Sequence, residues 1–375
     1  MKKILFIFGT RPEAIKLSPV IHYFQKHPST FETIVAVTGQ HKEMLKQVLS
    51  IFKIDPDYDL DIMSSNQTLS DLTSRVLEGI SKQIKIINPD FLFVQGDTTT
   101  TFAASLAAFY EMVPVVHIEA GLRTNNIYSP FPEEINRRMT SSIASIHFAP
   151  TKHSFENLIK EGVSKKSVFI TGNTVIDSLM YIDKRLQKNK LKYEDYFLTN
   201  YKLDLKNMKT ILVTGHRRES FGKKFENICY AIKEIADTEN IKFVYPVHLN
   251  PNVQKPVKQI IADHKNIFLL PPLDYLSFVY LMKNAHIILT DSGGIQEEAP
   301  SFCKPVIVMR DNTERMEGVI AGTSRLVGTG KNSICEGIRL LLNNVDEYNK
   351  MSSGINPYGR GNSSELIYNH MLKLI

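Results

Sequence analysis

The chain has 375 residues, 43% hydrophobic and 22% charged, a balance that suits a folded protein of about two domains and excludes a disordered one. A formal charge of +6, not gathered into basic runs, argues against a nucleic-acid surface and is compatible with a mildly basic cleft for an anionic small molecule. No stretch approaches the roughly 20 apolar residues of a membrane span, and three cysteines without metal or redox spacing fit a reducing cytoplasm, with packing as their default role.

Taken in order, residues 3–8 predict a buried strand, because the apolar run is too short for a signal peptide and meets Arg11 and Pro12 at once. Pro12 suits the first position of a helix that continues through Ala14, Ile15, Leu17 and Val20. The turn offers backbone donors beside Arg11 and Lys16, a candidate anion site, since open α/β sheets bind ligands at the carboxyl ends of their strands. Residues 33–38 read as a second strand, 41–52 as an amphipathic run and 68–87 as a helix with Leu69, Leu72, Val76, Leu77 and Ile80 on one face. The strand at 91–94 ends in Gln95-Gly96-Asp97-Thr98, and after an Ala-rich helix the strand at 113–117 leads to Glu119. A lone acid in such a turn is usually a helix cap; two acids, an arginine and two glycine turns on one edge form a constellation. Residues 124–138 make a loop too elaborate for a mere connection, in which Pro132 opens a helix carrying Glu133 and Glu134, with Arg137 and Arg138 one turn on and able to pair with them.

Strands at 145–149 and 168–170 precede a break at Gly172-Asn173, which sets a first domain at 1–170 and a second at 171–363. Residues 185–207 read as exposed helix and loop. The second set of alternations begins at 210–214 and ends in a glycine-containing turn that puts His216 where Arg11 stands in the first half, a candidate phosphate contact. Strands at 243–247 and 267–270 follow, then a helix whose Tyr275 and Phe278 either stack on a base or, as each taken alone more often does, pack in the core. The apolar run 286–289 leads into Thr290, Asp291 and Ser292, all N-cap types, and Gly293 and Gly294, which let a helix start approach a phosphate. Glu297 and Glu298 are expected in the first turn of that helix, within reach of sugar hydroxyls. The run 305–309 ends at Glu314, Arg315 and Glu317, and residues 364–375 read as a last helix whose docking the sequence does not show, a return to the first domain being one option.

Strands alternating with helices through both halves predict an α/β fold of two Rossmann-like, doubly wound parallel-sheet domains facing across a cleft. There is no GxGxxG after the first strand, no P-loop, no metal-ligand spacing and no nucleophile elbow. What remains is acid and base chemistry by carboxylates on a substrate that carries phosphate.

The segments GTRPEAIK (9–16), GDTTTT (96–101), HIEAGLRT (117–124), SPFPEEINRR (129–138), TGNTVID (171–177), GHRRESFG (215–222), PVHLNP (246–251), TDSGGIQEEAP (290–300) and TERMEG (313–318) run in order through nearly the whole chain. On them the chain closely resembles the non-hydrolysing UDP-N-acetylglucosamine 2-epimerases. The resemblance implies a fold of the GT-B type, a cytoplasmic homodimer without NAD or metal, and reversible conversion of UDP-N-acetylglucosamine to UDP-N-acetylmannosamine for cell-surface polysaccharide. By motif it makes Asp97, Glu119 and Glu133 the acid and base candidates and gives His216 the departing diphosphate. It assigns Arg11 and Lys16 to binding, Ser292, Gly293 and Gly294 to phosphate, Glu298 to the ribose and Arg315 to negative charge near the sugar or diphosphate. Leu273, by its backbone, and Phe278 fall at the uracil.

Some relatives bind a second substrate molecule as activator through a QHRxM-type helix and a loop arginine. Here the helix reads QHKEM, with Gln40, Lys42 and Glu43, and the loop has Asn66, so activation is not expected to carry over. Gln95 stands where histidine is common and Cys303 where glycine is. The competing readings are a hydrolysing epimerase releasing N-acetylmannosamine and UDP, a glycosyltransferase and a non-catalytic UDP-sugar sensor. The motif wording favours the non-hydrolysing branch.

Overall fold

The computed structural model describes residues 1–39, 42–62 and 67–375, apart from the side chains of residues 42 and 43. The expectation about an activator rests on Gln40, Lys42, Glu43 and Asn66 and so lies outside the described residues. Two compact units result: residues 1–178 together with 358–375, and residues 179–357. The division falls inside the helix Thr174–Lys188 rather than at the Gly172-Asn173 break.

Among the described residues, the first unit holds a seven-stranded parallel sheet: β1 (Lys2–Phe8), β2 (Phe31–Val37), β3 (Tyr58–Asp59), β4 (Phe91–Gln95), β5 (Val115–Ile118), β6 (Ile146–Ala149) and β7 (Val168–Ile170), in the order β3-β2-β1-β4-β5-β6-β7. These strands read as continuous apolar runs because helices cover both faces, so that Ile4, Leu5, Phe6, Ile7 and Phe8 are all buried. The second unit holds β8 (Thr210–Thr214), β9 (Lys242–Pro246), β10 (Ile267–Leu270), β11 (Ile287–Thr290), β12 (Val306–Val308) and β13 (Ser324–Leu326), also parallel, in the order β10-β9-β8-β11-β12-β13. Strand order reverses between β1 and β4 in one sheet and between β8 and β11 in the other. Such reversals leave a crevice at the strands' carboxyl ends, where open α/β sheets take their ligands. Arg11, Lys16 and Asp97 follow the first pair; His216 and residues 291–294 follow the second.

The C-terminal helix Ser363–Leu374 packs on the helix Arg11–Gln25, with Tyr368 in aromatic contact with Tyr23, Phe24, His27 and Phe31. Its first turn is held by Asp177, whose two oxygens accept the N–H groups of Ser363 and Ser364 at 3.1 and 2.8 Å. Gly172 is required beside it: its φ is +82°, and a Cβ would lie 2.8 Å from Ser363 Oγ and 3.1 Å from the Tyr358 carbonyl. Replacing Asp177 by alanine leaves two buried donors unmet at a helix start, and should lower stability by about 2 kcal/mol. Urea unfolding followed by circular dichroism measures this; an unchanged midpoint would remove Asp177 from the latch.

Candidate active site

In the first unit the site is assembled from three neighbouring strand ends. The turn after β1 opens the helix Arg11–Gln25 through a capping box between Thr10 and Glu13. Buried Glu13 accepts the N–H groups of Gly9 and Thr10 at 3.1 and 2.8 Å, and with its other oxygen the hydroxyls of Thr98 and Thr101 at 2.7 and 3.1 Å. One carboxylate thus fixes the β1 turn against the β4 turn. Burial raises its pKa, opposed by those hydrogen bonds. Arg11, half-buried at the start of the helix, makes no hydrogen bond or ion pair among the described residues.

Glu119 follows β5 in a left-handed conformation, φ +63°, uncommon for a residue with a side chain and here consistent with a functional constraint. Its buried carboxylate lies against the Lys16 ammonium at 2.5 and 2.7 Å and accepts a hydrogen bond from the Gln95 amide. The register that pairs Gln95 with Ile118 brings the two strand ends together. Asp97, two residues beyond Gln95, is held from the helix Glu133–Ile143: Arg137 donates to its Oδ2 at 2.5 Å and Asn136 to its carbonyl at 3.0 Å. His117 adds a hydrogen bond to the Gly96 carbonyl at 2.7 Å.

Glu133 begins that helix, one turn before Asn136 and Arg137. Its Oε2 is buried without a hydrogen-bond partner. The pairing expected of Glu133 and Glu134 alike falls on Glu134 alone. Fully buried Glu134 binds Arg137 at 3.3 Å and Arg138 at 3.2 Å and accepts the N–H groups of Thr124 and Asn125 at 3.0 and 3.1 Å. The reason is direction: Glu134 faces inward over the 124–125 turn, where both arginines reach it. Glu133 is left with proton-accepting capacity that nothing in the fold consumes.

In the second unit, His216 follows β8 with its side chain half exposed, its ring stacked on His248 at 5.1 Å and 12°. Burial lowers its pKa; Asp291 opposes this, while His248 and Arg217 reinforce it. Ser292 is the N-cap of the helix Gly293–Glu298, with its hydroxyl not spent on the cap. A Cβ at Gly293 would lie 3.0–3.2 Å from the Arg315 guanidinium, so any side chain there would press on that group; Gly294 follows with open space. The helix is only six residues long, which corrects the expectation for Glu297 and Glu298: they end it, ahead of Pro300, instead of occupying its first turn. Glu297 pairs with Arg315 at 3.0 Å and Glu298 accepts the buried Tyr275 hydroxyl at 2.9 Å. Arg315 also meets Glu314 at 2.5 Å, and Arg310 meets Glu314 at 2.8 Å. Burial would raise the Glu314 carboxyl, but Arg315 and Arg310 hold it down to about 2. Leu273 and Phe278 lie half-buried around the start of the helix Tyr275–Asn284, which Asp274 caps. Cys303 is exposed with φ +56°, a left-handed conformation that favours glycine and so fits the glycine that the resemblance led one to expect there.

Sequence reasoning missed Glu13, Gln95, Asn136 and Asp291 as supports. The Thr10-to-Glu13 spacing carried a usable signal for the first; Gln95 and Asp291 meet their partners through strand order, and Asn136 through the packing of the helix Glu133–Ile143 on the β4 turn. Among the described residues, no group of three or more His, Cys, Asp or Glu is placed to hold a metal ion, and no helix is long and apolar enough to cross a membrane.

Two doubly wound parallel sheets, each with polar residues at its switch point, define an α/β protein of the GT-B kind. The family model for UDP-N-acetylglucosamine 2-epimerase matches residues 23–372. The UDP-N-acetylglucosamine 2-epimerase of Escherichia coli K12 is 54% identical over 367 residues, covering 97% of each chain. The crystal structure of the Neisseria meningitidis UDP-GlcNAc 2-epimerase bound to UDP-GlcNAc is 50% identical with a TM-score of 0.93, covering 99% of this chain and 100% of that one. The Methanocaldococcus jannaschii UDP-GlcNAc 2-epimerase in complex with UDP-GlcNAc and UDP is 34% identical with a TM-score of 0.83, covering 99% of both chains. The chain belongs to the UDP-N-acetylglucosamine 2-epimerase family.

Proposed function

We propose that the chain interconverts UDP-N-acetylglucosamine and UDP-N-acetylmannosamine without hydrolysis. The observation that carries this is the set of carboxylates that follow β4 and β5 and open the helix Glu133–Ile143, with the Oε2 of half-buried Glu133 itself buried and without a hydrogen-bond partner, and Asp97 clamped by Arg137 and Asn136 of that helix. That the Neisseria relative was solved with UDP-GlcNAc bound supports the substrate.

In this reading one carboxylate removes the C2 proton while the bond from C1 to the UDP oxygen breaks, which forms a C1=C2 double bond and releases UDP as the anion. A second acid returns a proton to the opposite face of C2 as a UDP oxygen re-forms the bond to C1. The C2 hydrogen is weakly acidic, so the base must be placed beside it and the leaving group stabilised as charge develops. His216, Arg315 and the N–H groups at Ser292, Gly293 and Gly294 receive the diphosphate. Arg11 and Lys16 assist binding, Glu298 meets the ribose, and Leu273 and Phe278 meet the uracil. Elimination and re-addition move a proton and a leaving group but no hydride, so the proposed steps call on no NAD, and the proposal includes no metal. The chain acts as a cytoplasmic homodimer whose product feeds surface polysaccharide; exposed Ile86, Phe109, Tyr110 and Met112, at the ends of two helices that pack together, support the pairing.

Proton and phosphorus NMR of the purified chain with UDP-N-acetylglucosamine in deuterated water tests the reading. UDP-N-acetylmannosamine carrying deuterium at C2, reached as an equilibrium, is the expected result. Accumulating UDP with free N-acetylmannosamine would establish the hydrolysing reaction instead, and binding without turnover a sensor.

A further inference from the structure

One carboxylate ties together the two turns at the switch point of the second sheet. Asp291 is buried, and its Oδ2 accepts the N–H groups of His216 and Arg217, each at 2.8 Å. From β9, the Tyr245 hydroxyl donates to the Gly215 carbonyl at 2.8 Å. The backbone of the His216 turn is therefore fixed on both sides, while the His216 side chain stays half exposed. It was as a helix cap that the sequence suggested Asp291; in the fold the carboxylate serves the neighbouring loop.

The second oxygen of Asp291 is unspent. Oδ1 is buried, has no hydrogen-bond partner and lies 3.8 Å from His216 Nδ1. A buried carboxylate oxygen without a donor is costly, and the imidazole N–H is the donor that a small ring rotation would deliver. The ring is stacked on His248, whose Nδ1 accepts the Asn250 N–H at 3.1 Å, so the neutral His248 carries its proton on Nε2. The charged or titratable groups acting on His216 within this unit are thus Asp291, His248 and Arg217. Only Asp291 favours a cation there.

We propose that Asp291 is a positioning residue for His216: its Oδ1 accepts the Nδ1–H, so that the ring takes up a solvent proton when a diphosphate binds and donates to it from Nε2. This rests on the reading of His216 as the diphosphate contact. Neutral imidazole with its proton on Nδ1 has only a lone pair at Nε2, which repels phosphate oxygen. The imidazolium has two donors, one for Asp291 and one for the ligand. The proton comes from solvent on binding and returns on release, and no bond to carbon is involved.

The test is NMR of the imidazole nitrogens and ring protons of His216 in the full chain, with and without UDP, joined to UDP calorimetry in two buffers of different ionisation enthalpy. The expected free protein holds its proton on Nδ1 in the neutral form. Saturating UDP should raise the His216 titration midpoint by at least about one pH unit, with matching proton uptake. Asp291→Asn keeps an oxygen for the two backbone N–H groups but turns a donor toward Nδ1. It should lower the midpoint of the free protein by about one unit and abolish the uptake. An Nε2–H tautomer in the parent, or the same titration in Asp291→Asn, would overturn the proposal. If the variant does not fold, the parent tautomer still decides. Failure of the parent to bind UDP would count against the functional reading alone, since the tautomer and the free titration are read without ligand.

Discussion

Glu133→Gln should reduce kcat for epimerisation by about 10²- to 10⁴-fold, the contribution of a positioned acid or base, while leaving UDP affinity within about twofold. The substitution is isosteric. Because the Glu133 Oε2 has no hydrogen-bond partner, it also breaks no contact of that oxygen in the fold. Asp97→Asn and Glu119→Gln are less clean, since the first removes one of the two carboxylates that pair with buried Arg137, Glu134 remaining, and the second removes the carboxylate held by part-buried Lys16. Losing one member of a buried pair costs stability on its own account, so a drop in activity there mixes two effects. Steady-state kinetics, with UDP binding by calorimetry and the unfolding midpoint as controls, separates them. A Glu133→Gln variant within threefold of the parent kcat would take Glu133 out of the proton-transfer steps and leave the chemistry to Asp97 and Glu119.

The same contrast shows how far the sequence reached. Buried parallel strands announce themselves as apolar runs, so the strand ends bearing Asp97, Glu119, His216 and Ser292 are legible in the residue pattern alone. Which strands are neighbours is not. Gln95 meets Glu119 because β4 pairs with β5, and Asp291 meets the His216 turn because β11 crosses over to lie beside β8. Local patterns also have limits of direction. Periodicity put Glu133 and Glu134 in one turn but could not say that only Glu134 faces inward to Arg137 and Arg138. The glycine pair at 293–294 marked a helix start correctly, whereas the length of that helix depended on Pro300 and on Tyr275 and Arg315 receiving its last two acids.

Acid should weaken the first unit steeply through His117. This imidazole is fully buried in β5, and burial lowers its pKa to about 3, reinforced by the charges of His147, Arg123 and Arg137 and opposed only by the hydrogen bond to Gly96. The neutral ring donates from Nε2 to the Gly96 carbonyl, while Nδ1 is buried without a partner. Protonation would put an unmatched N–H and a charge into the core. A folded pKa below the unfolded one means that the unfolded chain binds more protons. The stabilising contribution is therefore complete above about pH 6.5 and is lost progressively as pH falls toward 3, by on the order of 4 kcal/mol. His117→Gln retains an N–H for Gly96 but cannot titrate. It should cost about 1–2 kcal/mol at pH 7, as an imperfect core replacement, and unfold with a shallower loss of stability between pH 6.5 and 4. Urea unfolding of parent and variant across that range isolates the effect of the imidazole, because carboxylates that titrate below pH 5 contribute equally to both. Parallel curves would show that His117 is not the group responsible. Because Gly96 directly precedes Asp97, the parent should lose the geometry of its acid cluster in the same window in which its stability falls.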